Sequence, residues 1–268
     1  MEGSATALTS AVRRIAGTAR LLVALDFDGT LAPTVDRPED ARALPAATVA
    51  VARLAAARDT TLALISGRAL ASLRHVSAAP DNALLVGSHG SEFAPAGAST
   101  AAAPLDPAER ARLDELSRIL TGVVASVNRA WLEEKPAGFA LHTRLATPQD
   151  ARRAQRLARE GTQPLDGLTV RDGKDVLEFS VRSATKGDAI ELLRRTAHPT
   201  ATFFAGDDTT DEDAFALLGA DDVGVKVGRG ATAAGFRVDS PEQLAEVIGL
   251  LAELRSGRDP GEDPDPAS

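Results

Sequence analysis

The stretch LLVALDFDGT, Leu21 to Thr30, decides how the rest of the chain is read. Five apolar residues run without a break into Asp26 and Asp28, with Phe27 between them. A continuous apolar run of this kind reads as a strand of a parallel sheet covered on both faces. Unpaired carboxylates at the end of a buried strand are costly, so two of them there call for a purpose. If strand geometry continues through Phe27, both aspartates face one crevice while Phe27 packs away. Gly29 permits a tight turn, and the N–H groups after it can cradle an oxyanion.

The same kind of apolar run recurs at 61–65, 83–87, 201–205 and 223–227. Helical spacing marks 45–58, which begins with a proline suited to a first turn, and also 185–197 and 242–255. Strands alternating with helices predict an α/β fold, a Rossmann-like parallel sheet joined by right-handed crossovers. Ligands of such sheets bind beyond the carboxyl ends of the strands. Four of the predicted strands end in polar clusters: Asp26 to Thr30, Ser66-Gly67-Arg68, Ser88-His89-Gly90, and Gly206 to Asp211. Their convergence says more than any one of them.

The middle third has a different rhythm. A long helix is predicted over 107–127, with Leu113, Leu116, Leu120, Val123 and Val127 on one stripe. Extended runs follow at 130–135 and 138–144, then a helix over 147–160 and a hairpin over 168–181 that turns at Asp172-Gly173. This α-β-β-α-β-β order predicts an inserted α+β cap domain. The expected division is core 1–104, cap 105–182, core again 183–256, and a Pro-, Gly- and acid-rich tail 257–268 expected to be disordered. The run PAGASTAAAP, 95–104, suits a linker into the cap.

Composition narrows the function classes. The chain has 268 residues, 25% charged and 44% apolar, enough for a sizeable core. Cysteine is absent, which excludes disulfides and thiolate metal sites. Net charge is -8 and no basic run stands out, so no nucleic-acid partner is expected. No apolar stretch approaches the roughly 20 residues of a membrane span, and no leader peptide is evident. A cytoplasmic protein acting on a small molecule, with no membrane partner, is the expectation; the sequence leaves the oligomeric state open.

Each polar cluster has a bland reading. Asp-Gly-Thr can be a turn, Ser66-Gly67 a helix cap, and GDDTTDED an acidic helix start. Read together as caps, they gather several carboxylates with no counter-charge. A divalent cation removes that conflict, and hard oxygen ligands describe an Mg²⁺ site. The candidate ligands are Asp26, Asp207 and a backbone carbonyl, with water completing the shell. His75 and His198 receive no role. GRGATAAG, 228–235, lacks dinucleotide-fingerprint spacing and reads as a loop and helix start. Trp131 reads as cap core or as a sugar-stacking face.

Four motifs in order resemble the haloacid dehalogenase superfamily of phosphotransferases: DFDGT at 26–30, Ser66 in SGR, Lys186 in ATKGDAI, and GDDTTDEDAF at 206–215. Within it, LDFDGTLAP, LISGR, GSHGSE (87–92), EEKPAGFALHTR (133–144) and GKDVLEFS (173–180) look like the trehalose-6-phosphate phosphatases. The resemblance implies that Asp26 attacks phosphorus and forms an aspartyl-phosphate. It implies that Asp28 serves as acid and then base, while Ser66 and Lys186 hold phosphoryl oxygens. It implies Mg²⁺ as cofactor, held by Asp26, Asp28 through its carbonyl, Asp207 and Asp208, and a sugar phosphate as substrate. Gly67, Arg68 and His89, with Glu133, Lys135, His142, Arg144, Lys174 and Glu178 of the cap, are then the expected substrate contacts. The cap is expected to close, exclude water and test the sugar. Two other readings stay open. One is a related phosphatase or mutase for sucrose, mannose or mannosylglycerate phosphates. The other is a non-catalytic phospho-acceptor switch, such as a response-regulator receiver, which would be shorter and lack a cap.

Overall fold

The computed structural model of the chain describes residues 2–97, 104–173 and 175–257. The chain divides into two compact units, Met1–Ala101 with Ala184–Ser268, and Ala102–Ser183. The first unit begins with α1 (Glu2–Ala16), β1 (Leu21–Leu25), α2 (Pro45–Ala56), β2 (Thr60–Ile65), α3 (Leu70–Ser77), β3 (Leu84–Gly87) and β4 (Glu92–Ala94). The second unit holds α4 (Pro107–Ala125), β5 (Trp131–Lys135), β6 (Gly138–His142), α5 (Pro148–Thr162), β7 (Thr169–Gly173) and β8 (Val176–Ser180). The chain then returns to the first unit with α6 (Lys186–Ala197), β9 (Ala201–Gly206), α7 (Glu212–Phe215), β10 (Val223–Val227), β11 (Phe236–Val238) and α8 (Pro241–Ser256).

Among the described residues, the first unit forms a seven-stranded sheet in the order β11-β10-β9-β1-β2-β3-β4. The strands are parallel except for β4, which runs antiparallel to β3. β1 lies between β9 and β2, and both neighbours leave all five of its residues buried. Its side chains alternate. Leu21, Val23, Leu25 and Phe27 join a core with Val12 and Ile15 of α1, Leu54 of α2 and Leu251 of α8. Leu22 and Ala24 join the opposite core with Ile190 and Leu193 of α6. Each fully buried Leu or Phe contributes about 1.5–3 kcal/mol of apolar burial. The even-numbered row of β1 therefore leads Asp26 toward the α6 side.

The second unit carries an antiparallel sheet in the order β5-β6-β8-β7. Asp106 starts α4 with a capping box to Glu109, and Pro107 occupies the first turn. The α4 stripe of Leu113, Leu116, Leu120 and Val123 packs with Phe139, Leu141, Leu177 and Phe179, one face of the sheet. The pairing of Glu133 with Ala140, Ala140 with Glu178 and Glu178 with Arg171 sets these residues on the other face.

Two expectations change. The hairpin turn lies beyond Asp172-Gly173: Gly173 still pairs with Val176, and Asp175 takes the positive φ of 60°. GRGATAAG starts no helix; it is a loop leading into β11, whose Phe236 pairs with Val225. Residues 98–103 of the expected linker, residues 258–268 of the expected tail, and Lys174 lie outside the described residues. No helix among those described is long and apolar enough to cross a membrane.

Candidate active site

The end of β1 carries the acid cluster. The Asp26 amide continues the pairing with β9 by donating to the Ala205 carbonyl at 2.9 Å. Its side chain is buried, with Oδ1 accepting from Lys186 Nζ at 2.7 Å and Oδ2 from Thr30 Oγ1 at 3.0 Å. Lys186 opens α6 just after its Thr185 cap, which explains how a surface-loving residue reaches the sheet end. The same Nζ donates to Asp211 Oδ1 at 2.7 Å, and Asp211 Oδ2 accepts from the Asp208 amide at 2.9 Å. Thr30 Oγ1 also lies 3.3 Å from Asp207 Oδ1. Gly29 is required between them. It has φ +79°, and a Cβ there would fall 2.0 Å from Asp207 Oδ2.

Oxygens of Asp26, Asp207 and Asp211 lie within 4.8 Å of one another. Burial pushes Asp26 well above the usual carboxylate range, against the pull of Lys186. Burial, with Asp211 next to it, pushes Asp207 up to about 6. Lys186 is held charged: burial opposes this, and Asp211 and Asp26 outweigh it. One ammonium thus faces three carboxylates, two of them penalised for their charge. Hard oxygen donors with a shortage of positive charge fit a divalent cation.

Asp28 and Arg68 form a fork, Nε to Oδ2 and Nη2 to Oδ1, each at 2.6 Å. The Arg68 amide donates to Ser66 Oγ at 3.2 Å, which ties the end of β2 to this pair. Gly67 lies beneath His89, whose ring would be 2.6 Å from a Cβ added there. Ser88 and His89 both adopt positive φ, 47° and 57°. Left-handed non-glycine pairs of this kind persist only when their surroundings fix them. Here Ser88 Oγ donates to Glu92 Oε2 at 2.6 Å, the Leu70 amide donates to the same oxygen at 3.1 Å, and the His89 amide donates to the Ser66 carbonyl at 3.0 Å.

In the second unit, the polar face of the sheet is an organised row. His142 Nε2 is 2.8 Å from Glu133 Oε2, and its ring stacks on Trp131 with centroids 4.8 Å apart and planes 8° apart. That bond holds Glu133 below the usual carboxylate range, although burial opposes it. Lys135 Nζ donates to Glu178 Oε1 at 2.6 Å. Arg144 lies 3.7 Å from Asp175.

The structure therefore brings Asp26, Lys186 and Asp207 together, and Ser66, Gly67, Arg68, His89 and Asp28 form a second contiguous set. Asp208, expected among the cation ligands, does not join them. Its Oδ1 caps its own turn, accepting from the Thr209 amide at 2.7 Å, because the strand has already ended and that amide needs a partner. Asp211 takes the third place in the cluster, a role the sequence reading missed. The D-x-x-D spacing from Asp208 is a capping-box signal that pointed to an inward Asp211. Thr30 was missed as well; it links two carboxylates, which spacing alone does not reveal.

A family model described as trehalose-phosphatase matches residues 24–242. The trehalose-phosphate phosphatase of Mycobacterium ulcerans (strain Agy99) is 34% identical over 255 residues, covering 88% of this chain and 63% of that protein. The chain thus spans less than two thirds of that relative's length. The trehalose-6-phosphate phosphatase of Escherichia coli (strain K12) is 36% identical over 216 residues, 80% of this chain and 79% of that protein. Among solved structures, the C-terminal domain of a Candida albicans trehalose-6-phosphate phosphatase superposes with a TM-score of 0.78 at 22% identity, over 92% of this chain and 96% of that one. The fold, the ordered motifs and the match over most of the chain lead to one conclusion: the chain belongs to the trehalose-phosphatase family.

Proposed function

We propose that this protein is an Mg²⁺-dependent phosphatase that hydrolyses trehalose 6-phosphate to trehalose and phosphate through an aspartyl-phosphate on Asp26. The observation that carries this reading is the buried Asp26 carboxylate, held 2.7 Å from Lys186 beside Asp207. The names of the Escherichia coli and Mycobacterium ulcerans relatives support the choice of sugar phosphate. Asp26 Oδ attacks phosphorus, the P–O bond to the sugar breaks, and the leaving alkoxide takes a proton from Asp28. Asp28 then removes a proton from water, whose oxygen attacks phosphorus; phosphate leaves and Asp26 is restored as a carboxylate. Lys186 offsets the charge of the phosphoryl oxygens. Asp26, Asp207 and the Asp28 carbonyl would hold the cation, which supplies charge neutralisation between nucleophile and phosphate. The polar row of Glu133, Lys135, His142 and Glu178 reads the sugar hydroxyls; a cytoplasmic location fits the absence of cysteine.

Phosphate release across a panel of trehalose, glucose, sucrose, mannose and mannosylglycerate phosphates tests the substrate. Trehalose 6-phosphate should be turned over best, Asp26→Asn should release none, and Asp28→Asn should accumulate a hydroxylamine-labile phosphoprotein. Wild-type turnover by Asp26→Asn overturns the chemistry; a better substrate elsewhere in the panel overturns the specificity alone.

A further inference from the structure

β10 reads VGVKV, a strand whose five residues are all buried, Lys226 included. A lysine in a buried strand is expensive unless its ammonium is fully partnered. Lys226 pairs in register with Gly206, the residue before Asp207. Its Nζ donates to the Asp208 carbonyl at 3.0 Å and to Glu212 Oε1 at 3.2 Å. The Asp208 amide, at the other end of the same residue, donates to Asp211 Oδ2. Asp208 is thus clamped at both its N–H and its C=O, directly after the Asp207 carboxylate. Glu212 carries the connection further: its Oε2 accepts from the Ala233 amide at 2.8 Å and from Thr232 Oγ1 at 3.2 Å, pinning the loop that follows β10.

We propose that Lys226 is a positioning residue for the cation site: by clamping the Asp208 carbonyl while Asp211 holds the Asp208 amide, it fixes the residue after Asp207 and so the direction of the Asp207 carboxylate. The inference rests on the reading of Asp207 as a cation ligand. Groups behind a metal's direct ligands commonly set affinity by about 10- to 100-fold. A residue that served only to fill the strand would leave that affinity alone.

The test uses the full chain and Mn²⁺, a paramagnetic stand-in for Mg²⁺ counted by the EPR signal of the free ion. The wild type should bind it and Asp207→Asn should not; equal binding by these two removes the cation reading itself. Lys226→Met should bind Mn²⁺ about tenfold more weakly, and the Mg²⁺ concentration for half-maximal activity should rise by the same factor. Glu212→Gln keeps the shape and removes the charge that partners Lys226, so about threefold weaker binding is expected, half of the tenfold effect on a logarithmic scale. Where Lys226→Met fails to fold, Glu212→Gln decides. Binding within twofold of the wild type, in whichever of these variants folds, overturns the proposal while leaving Asp207 as a ligand.

Discussion

Arg68 grips Asp28 by both carboxylate oxygens, with two bonds of 2.6 Å. The guanidinium is itself braced, with Nη1 3.3 Å from Ser72 Oγ and its carbon 5.8 Å from the centre of the Phe27 ring. Expected as a substrate contact, Arg68 here holds the residue proposed to move protons. A lysine cannot reproduce the planar fork. Arg68→Lys should therefore lower kcat/KM for trehalose 6-phosphate by about 10- to 100-fold, part of what acid–base catalysis supplies. It should affect kcat/KM for p-nitrophenyl phosphate much less, because that leaving group needs no proton and kcat/KM does not include the shared hydrolysis of the phospho-enzyme. Parallel kinetics on the two esters check this; equal losses would place Arg68 on the phosphate instead.

Without metal, stability should fall as pH rises from about 4 to about 6. Asp207 is raised from 3.8 to about 6, so the folded state binds more protons than the unfolded chain across that interval. Stability then drops as pH rises, with a slope approaching about 1.4 kcal/mol per pH unit for one proton. Glu133 is shifted downward, so its contribution is lost only as pH falls below its ordinary value of 4.5, and that of Lys186 persists far above the window. Melting in chelator should show a lower Tm at pH 7 than at pH 5. Mg²⁺ should reverse the trend, and Asp207→Asn should reduce it, leaving the part that Asp26 supplies. A Tm that climbs with pH in chelator contradicts the assignment.

Arg255 predicts a purely structural loss. It is buried near the end of α8. Its Nε donates to Thr60 Oγ1 at 2.9 Å, and its other nitrogens donate to the carbonyls of Ala16, Thr18, Arg58 and Asp59. Arg255→Ala strips a donor from each of those carbonyls, although Asp59 keeps the Leu21 amide and Arg58 keeps Thr60 Oγ1, at a cost of about 2–4 kcal/mol. Urea unfolding should show a lower midpoint. Turnover by the folded fraction at low temperature should match the wild type.

For the sugar, Glu178→Gln is the informative change. It keeps the side-chain volume but removes the charge that faces Lys135 at 2.6 Å. Hydrogen bonds to charged groups are worth about 1.5–3 kcal/mol, so kcat/KM for trehalose 6-phosphate should fall by roughly one to two orders of magnitude. A small generic phosphate ester should change little. A common loss on both would mean that Glu178 supports the sheet rather than recognition. 

The sheet was legible because its strands announce themselves. LLVAL and VGVKV are buried along their whole length, and the structure places strands on those same residues. β4 and β11 were not, being three residues each at the two edges, where little burial shapes the sequence. The DG pair at 172–173 misled because turn propensity yielded to cross-strand pairing with Leu177 and Val176. At the site, acids at strand ends were readable one by one. Which acid meets which base was not. The Arg68 fork spans 40 residues of sequence and the Lys186 bond to Asp26 spans 160, so both depend on which strands become neighbours.

The central place of β1 bears on how the chain is made. During synthesis Leu21–Leu25 emerges early, and β2 soon covers one of its edges. The other edge belongs to β9, which starts at Ala201, after the whole second unit. Until then a fully apolar strand presents open backbone groups, the kind of edge that recruits foreign strands. Lys186 emerges in the same late interval, so Asp26 has no ammonium beside it before then. A ribosome paused within the second unit would therefore hold a sticky, chemically inert half-sheet, and slowing translation there should raise aggregation more than slowing it after β9.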